Sequence, residues 1–263
     1  MLWSVIPIHS SPARRASRAI SSSVPVPSLK TEWMWRAPGL WCGTNLYYGP
    51  MANERRHGDP PPATGGAGTL GEPADDDWLR ETPISERVVY RGHYLTFRVD
   101  TIRHADGVER ERELVLHPGA VAIVALHGDD VLMIRQWRHA TGGALLEIPA
   151  GTIDVLADGS LEDPAVCAAR ELSEETGMRA ARWRDLGAFW TAPGFTDEHM
   201  HLYLAQDLSP DDDSTGPEPD EHLRLVRRPW REAVAAAERG EIEDAKSLVG
   251  LLRLARMAER GEL

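Results

Sequence analysis

Glu171, Glu174 and Glu175 stand three and four positions apart, with Arg170 directly before them. On an α-helix those spacings bring the three carboxylates onto adjacent turns of one face. Like charges that close raise one another's proton affinity and destabilise an isolated helix. A hard divalent cation removes the conflict, because Mg²⁺ takes carboxylate oxygens, water and a substrate phosphate as ligands. Arg170 is set to orient one of the glutamates. A solvated charged face explains a bare Glu-Glu pair as well, so the weight falls on the wider arrangement. It runs Glu162, seven residues, Arg170-Glu171-Leu172, one residue, Glu174-Glu175, one residue, Gly177-Met178.

The helix that must carry these acids announces both ends. Asp163 suits the N-cap, Pro164 the first helical position and Gly177 the residue past the end. Ala165, Ala168, Ala169, Leu172 and Thr176 form a small-residue stripe for close packing on a sheet. Strand-like runs surround the helix: 87–91, 94–103, 110–116, 120–126, 131–137, 145–149, 183–190 and 200–205. Asp106-Gly107 and the His127-Gly-Asp-Asp run mark hairpin turns. Further helices are predicted over 229–239 and 245–260. Residues 207–221, with Asp211-Asp212-Asp213 and Glu218-Pro219-Asp220-Glu221, read as an acidic solvated loop.

Composition narrows the function classes. A formal charge of −12 over 263 residues argues against a nucleic-acid partner. No apolar run reaches the roughly 18 residues of a membrane span. The two cysteines, Cys42 and Cys167, suggest no disulfide framework, so a reducing cytoplasmic location is expected. Residues 1–75 differ from the rest. Met1 to Pro50 is rich in Ser, Pro, Arg and Trp, and Met51 offers a second start. The segment reads as a disordered or non-native extension, with organellar targeting by residues 1–50 as the alternative. His139, His199 and His201 lack zinc-like spacing.

From Glu162 to Met178 every position resembles the Nudix box. That loop–helix–loop pattern is Gly, five residues, Glu, seven residues, Arg-Glu-aliphatic, one residue, Glu-Glu, one residue, Gly-aliphatic. One departure lies upstream, where ten residues separate Gly151 from Glu162. It reads as a five-residue insertion within 152–159, turning at Asp158-Gly159, since surface loops absorb added length at low entropic cost. Over residues 84–255 the flanks, Arg135-Gln136-Trp137-Arg138, Leu146 to Gly151 and Ala192 to Glu198, resemble the ADP-ribose pyrophosphatase branch.

The resemblance implies an α+β fold, a Nudix α/β/α sandwich with its mixed sheet between helices. An N-terminal antiparallel β region (76–118), exchanged in a homodimer, would precede the hydrolase domain (119–263). It implies a small-molecule nucleoside diphosphate substrate, foremost ADP-ribose cut to AMP and ribose 5-phosphate, and Mg²⁺ or Mn²⁺ as cofactor. Another nucleoside diphosphate sugar, a dinucleotide, or a silent ADP-ribose-binding module are the alternatives. Glu171 and Glu175 would be metal ligands with the Ala150 carbonyl, and Glu174 a further ligand or a base. Glu198 would position or deprotonate the attacking water. Arg138, and with it Arg135, Glu147 and Phe195, would meet the substrate, and Tyr94 or Phe97 the adenine.

Overall fold

The computed structural model describes residues 77–217, 219 and 221–263. The expected extension, the second start at Met51, and Glu218 and Asp220 of the acidic loop lie outside the described residues. In chain order the strands are β1 (Thr82–Arg91), β2 (Thr96–Arg103), β3 (Glu109–Leu116), β4 (Ala120–His127), β5 (Asp130–Arg138), β6 (Gly143–Glu147) and β7 (Ala150–Thr152). Helix α1 (Pro164–Thr176) follows, then β8 (Met178–Trp190), β9 (His199–Pro210), β10 (Leu223–Pro229), α2 (Trp230–Glu238) and α3 (Ala245–Glu259).

Strands β1, β2 and β3 form an antiparallel sheet of their own, turning between β2 and β3 at Gly107 (φ 86°). The second sheet runs β10-β5-β4-β9-β8, with β6 on β5 and β7 on β4. It is mixed, because β4 and β9 are parallel and the other pairs antiparallel.

Alternation along β4 makes the layers. Val121, Ile123 and Ala125 meet Cys167, Ala168 and Leu172 of α1, while Ala122, Val124 and Leu126 meet α2 and α3 through Ala233, Leu251 and Leu254. A strand covered on both faces reads as a continuous apolar run, as β4 does. The expected α/β/α sandwich is the architecture found. Gly250 lets α3 approach, since a Cβ there would press on Ile148 and Val124.

Asp163 caps α1 by accepting the Ala165 and Val166 N–H groups, and Gly177 ends it in the left-handed region at φ 65°. The packed stripe differs from the sequence reading. Ala165 and Ala169 are exposed, and the buried row is Cys167, Ala168, Glu171, Leu172, Glu175 and Thr176. The helix is therefore rolled so that two of its acids face inward. No helix among the described residues is long and apolar enough to cross a membrane.

The insertion before α1 folds on itself. Val155 and Leu161 bridge, the Leu156 N–H donates to the Ser160 carbonyl at 2.8 Å, and the Gly159 N–H donates to the Leu156 carbonyl at 2.8 Å. The Glu162 N–H then donates to the Asp154 carbonyl at 2.9 Å, closing the base of the hairpin.

Candidate active site

Arg170 is the hub of the α1 acids. Its Nε and Nη2 donate to the two oxygens of Glu162 at 3.2 and 2.9 Å, and its Nη1 donates to Glu171 at 2.8 Å and Glu174 at 3.0 Å. A rigid planar fork can serve several carboxylates at once, which a lysine could not. Bonding to Arg170 holds the Glu162 carboxyl below the ordinary carboxylate range.

Glu171 and Glu175 behave oppositely. Both are buried, 7% and 4% exposed. Burial first, with neighbouring carboxylates adding to it, pushes Glu171 up to about 7 and Glu175 up to about 8. Arg170 opposes the shift at Glu171, and the Ala150 N–H, donating to Glu175 at 2.9 Å, opposes it at Glu175. Two buried acids left short of positive charge are what a divalent cation compensates. Gly151 shapes the same place, because a Cβ there would overlap the Glu171 carboxylate. Among the described residues no three acidic, histidine or cysteine side chains already converge as an ion cage. Arg170 draws Glu171 and Glu174 to itself. The donor set, carboxylates beside a backbone carbonyl strand, fits a hard ion.

A fifth acid enters from the loop read as a solvated excursion. Strand β9 runs on to Pro210, and the following residues are fastened to the end of α1. The Ser173 hydroxyl donates to Asp211 at 2.7 Å, the Asp211 N–H to the Gly177 carbonyl at 2.9 Å, and the Ser214 hydroxyl to the Ser173 carbonyl at 2.7 Å. At the loop's far end Leu223 opens β10 by pairing with Gln136 of β5. Glu221 is the carboxylate beyond α1 whose charge raises both Glu171 and Glu175. Composition hid it, as one acid in an acidic run.

Glu198 stands immediately before β9. It accepts the Thr191 hydroxyl, and its other oxygen is 3.7 Å from His117 Nε2. His117 Nδ1 accepts the Gly119 N–H at 3.0 Å, which leaves the neutral ring's proton on Nε2, facing Glu198. Asp197 accepts the His117 N–H at 2.7 Å. Phe195 is exposed and its carbonyl accepts the Val115 N–H at 2.8 Å. Tyr94 is exposed and stacks edge-on against His93, and Phe97 is half-buried.

The residues expected to meet the substrate divide. Arg138 donates from Nε and Nη2 to the two oxygens of Glu147 at 2.8 and 2.7 Å. Its side chain stays 40% exposed, so the guanidinium still presents donors outward. Glu147 is fully buried, with one oxygen also accepting from Lys246 Nζ. Burial would raise its carboxyl, but Arg138 and Lys246 together hold it below the ordinary range. Glu147 thus anchors both Arg138 and Lys246. Arg135 is three residues from Arg138 on a strand, so it points to the opposite face. There it lines a cleft with Leu146, Ala236 and Ile242.

Residues 116–252 match the family model described as the NUDIX domain. The chain is 34% identical over 174 residues to the methanol dehydrogenase activator of Bacillus methanolicus, covering 66% of this chain and 91% of that protein. It is 37% identical over 170 residues to the ADP-ribose pyrophosphatase of Mycobacterium tuberculosis, covering 64% of this chain and 80% of that protein. A solved ADP compounds hydrolase superposes with a TM-score of 0.61 at 26% identity, covering 70% of this chain and 97% of that one.

Proposed function

This chain belongs to the NUDIX family and is a pyrophosphohydrolase, and from that premise we propose that it cuts ADP-ribose to AMP and ribose 5-phosphate with Mg²⁺. The observation that carries the reading is the buried pair Glu171 and Glu175, short of positive charge beside the Gly151 notch. The relative from Mycobacterium tuberculosis supports the substrate.

Glu171, Glu175 and the Ala150 carbonyl would hold the ion, with Glu174 as a further ligand. Bound Mg²⁺ supplies positive charge against the diphosphate oxygens and Lewis acidity toward phosphorus. Arg170 keeps Glu162, Glu171 and Glu174 from splaying apart. Arg138 turns its remaining donors toward the diphosphate, where a permanently charged planar group is well matched. Water attacks one phosphorus and yields a proton to a carboxylate, while the bridging P–O bond breaks and its electrons stay on the departing phosphate. We assign the proton to Glu198, the acid that closes the Ala192 to Glu198 flank, with Glu221, whose charge reaches Glu171 and Glu175, as the alternative.

One assay tests substrate and base together. Phosphate released through a secondary phosphatase is measured over a panel of nucleoside diphosphate sugars and dinucleotides, with wild type, Glu221→Gln and Glu198→Gln. ADP-ribose should lead the panel. Glu198→Gln should lose about 10²–10³-fold in kcat with Mg²⁺ affinity little changed, the range of a lost general base. Glu221→Gln should lose less than about 10-fold. The reverse order moves the base to Glu221, and a faster hexose or dinucleotide substrate overturns ADP-ribose.

We also assign a homodimer. Every residue of β1 is exposed, Ile84, Val88, Val89 and Tyr90 among them, on an edge strand open to pairing. Sedimentation should give twice the chain mass, and a monomer at micromolar concentration would refute the assignment. A reducing cytoplasm suits the free buried thiol of Cys167.

A further inference from the structure

Lys246 is a buried cation that the chemistry above leaves without a task. It occupies the first turn of α3, where a positive charge opposes the helix dipole, yet it is only 9% exposed. Such a placement is sustained by specific partners. Lys246 Nζ donates to Glu147 and, at 3.0 Å, to Asp244. Asp244 caps α3 by accepting the Ser247 N–H at 3.0 Å, and the Ser247 hydroxyl accepts the Ile148 N–H at 2.8 Å. The start of α3 is therefore riveted to two consecutive residues, Glu147 and Ile148, at the end of β6.

The arrangement at Glu147 gives the rivet a direction. One oxygen receives Arg138 Nε alone, and the other is shared between Arg138 Nη2 and Lys246 Nζ. A carboxylate has room for both donors on one oxygen. The shared contact fixes the carboxylate plane, and the parallel pair to Arg138 then fixes the guanidinium in that plane. Two cations and two anions, Arg138 and Lys246 against Glu147 and Asp244, balance. Without Lys246 the set carries an excess negative charge on the buried Glu147, whose carboxylate then has one fewer bond to fix its plane.

We infer that Lys246 is a positioning residue that aims Arg138 at the substrate's diphosphate through Glu147. The inference rests on the reading that Arg138 meets the diphosphate, and it adds a specificity-bearing link from α3 to that contact. Lys246 touches no substrate atom in this scheme.

Steady-state kinetics on the full chain with ADP-ribose and saturating Mg²⁺ tests it, in a cycle of Lys246→Met, Arg138→Met and the double variant. Lys246→Met should raise KM on the order of 10-fold with kcat nearly unchanged, the pattern of lost uniform binding. Arg138→Met should raise KM at least as much. The double variant should be no worse than Arg138→Met alone, because Lys246 acts only through Arg138. Mg²⁺ half-saturation should move far less than KM, because the Lys246 charge is the smallest of the influences on Glu175. If Lys246→Met unfolds, Lys246→Gln keeps two donors and should show a smaller rise in KM. Multiplying penalties in the double variant, or a shift in Mg²⁺ half-saturation with KM constant, would overturn the inference while Arg138 keeps its role. An Arg138→Met variant with normal KM would remove the diphosphate contact itself, and the inference with it.

Discussion

Glu175→Gln is expected to fold and to hydrolyse ADP-ribose at least about 10²-fold more slowly than wild type with Mg²⁺. A metal's charge stabilisation is worth several kcal/mol, at 1.36 kcal/mol per factor of ten. The fold should survive because a glutamine oxygen still accepts the Ala150 N–H that Glu175 now takes at 2.9 Å. Turnover within about threefold of wild type would strike Glu175 from the ligand set.

The same substitution carries a pH signature in metal-free protein. The native carboxyls of Glu175 and Glu171 stand at about 8 and about 7, against 4.5 when unperturbed. Between those values the native state holds protons that the unfolded chain has shed. Stability from these groups is complete below 4.5 and drains away as pH rises through 7 and 8. Melting temperature without metal should therefore fall over that window, and Glu175→Gln should flatten the upper part of the fall. Mg²⁺ with bound nucleotide should oppose it, because a ligand of the native state stabilises by mass action. A wild-type melting curve unchanged from pH 5 to 8 would contradict the buried, uncompensated acids.

Gly151→Ala is the second large effect. The new Cβ would occupy the space of the Glu171 carboxylate. What must give is the end of a flexible side chain and not backbone, so melting temperature should drop by only a few degrees, about 1–3 kcal/mol for local overpacking. The carboxylate, however, leaves its place, and kcat should fall about 10²-fold, because a shift near 1 Å at a catalytic group costs that much. Normal activity would show that the Glu171 position seen here is not the working one. Global unfolding would make Gly151 a packing residue first.

How far the sequence could be read depended on how local each signal was. Asp163, Pro164 and Gly177 lie within a few residues of what they cap, so α1 emerged with the right limits. The spacing of Glu171, Glu174 and Glu175 is helical arithmetic and needed no fold. The packing face was misread because alanine is indifferent to burial, whereas the inward turn of Glu171 and Glu175 is set by the sheet beneath. Arg135 and Arg138 differ by an odd number along β5, so strand alternation alone separates them.

Lys246 and Glu221 belong to the illegible part, and so does the bond that Glu147, expected only as a substrate contact, makes to Lys246. The Ile148–Ser247 and Glu147–Lys246 contacts each join residues 99 apart, and the charge of Glu221 reaches Glu171 and Glu175 from another stretch of chain. No pattern in one stretch of chain encodes such meetings. One local clue did exist, a lysine in the first turn of α3 where the helix dipole disfavours it.

The small hairpin from Asp154 to Glu162 has a practical use. Its two feet are tied together before the chain reaches the cap of α1, and its tip at Asp158-Gly159 is exposed or nearly so. Extra chain spliced between those two residues loads the closed tip and leaves the spacing of the feet alone, since lengthening a surface loop costs little entropy. The enzyme thus offers a built-in port for a peptide tag or a fluorescent cargo, a short step along the chain from its own reaction chamber.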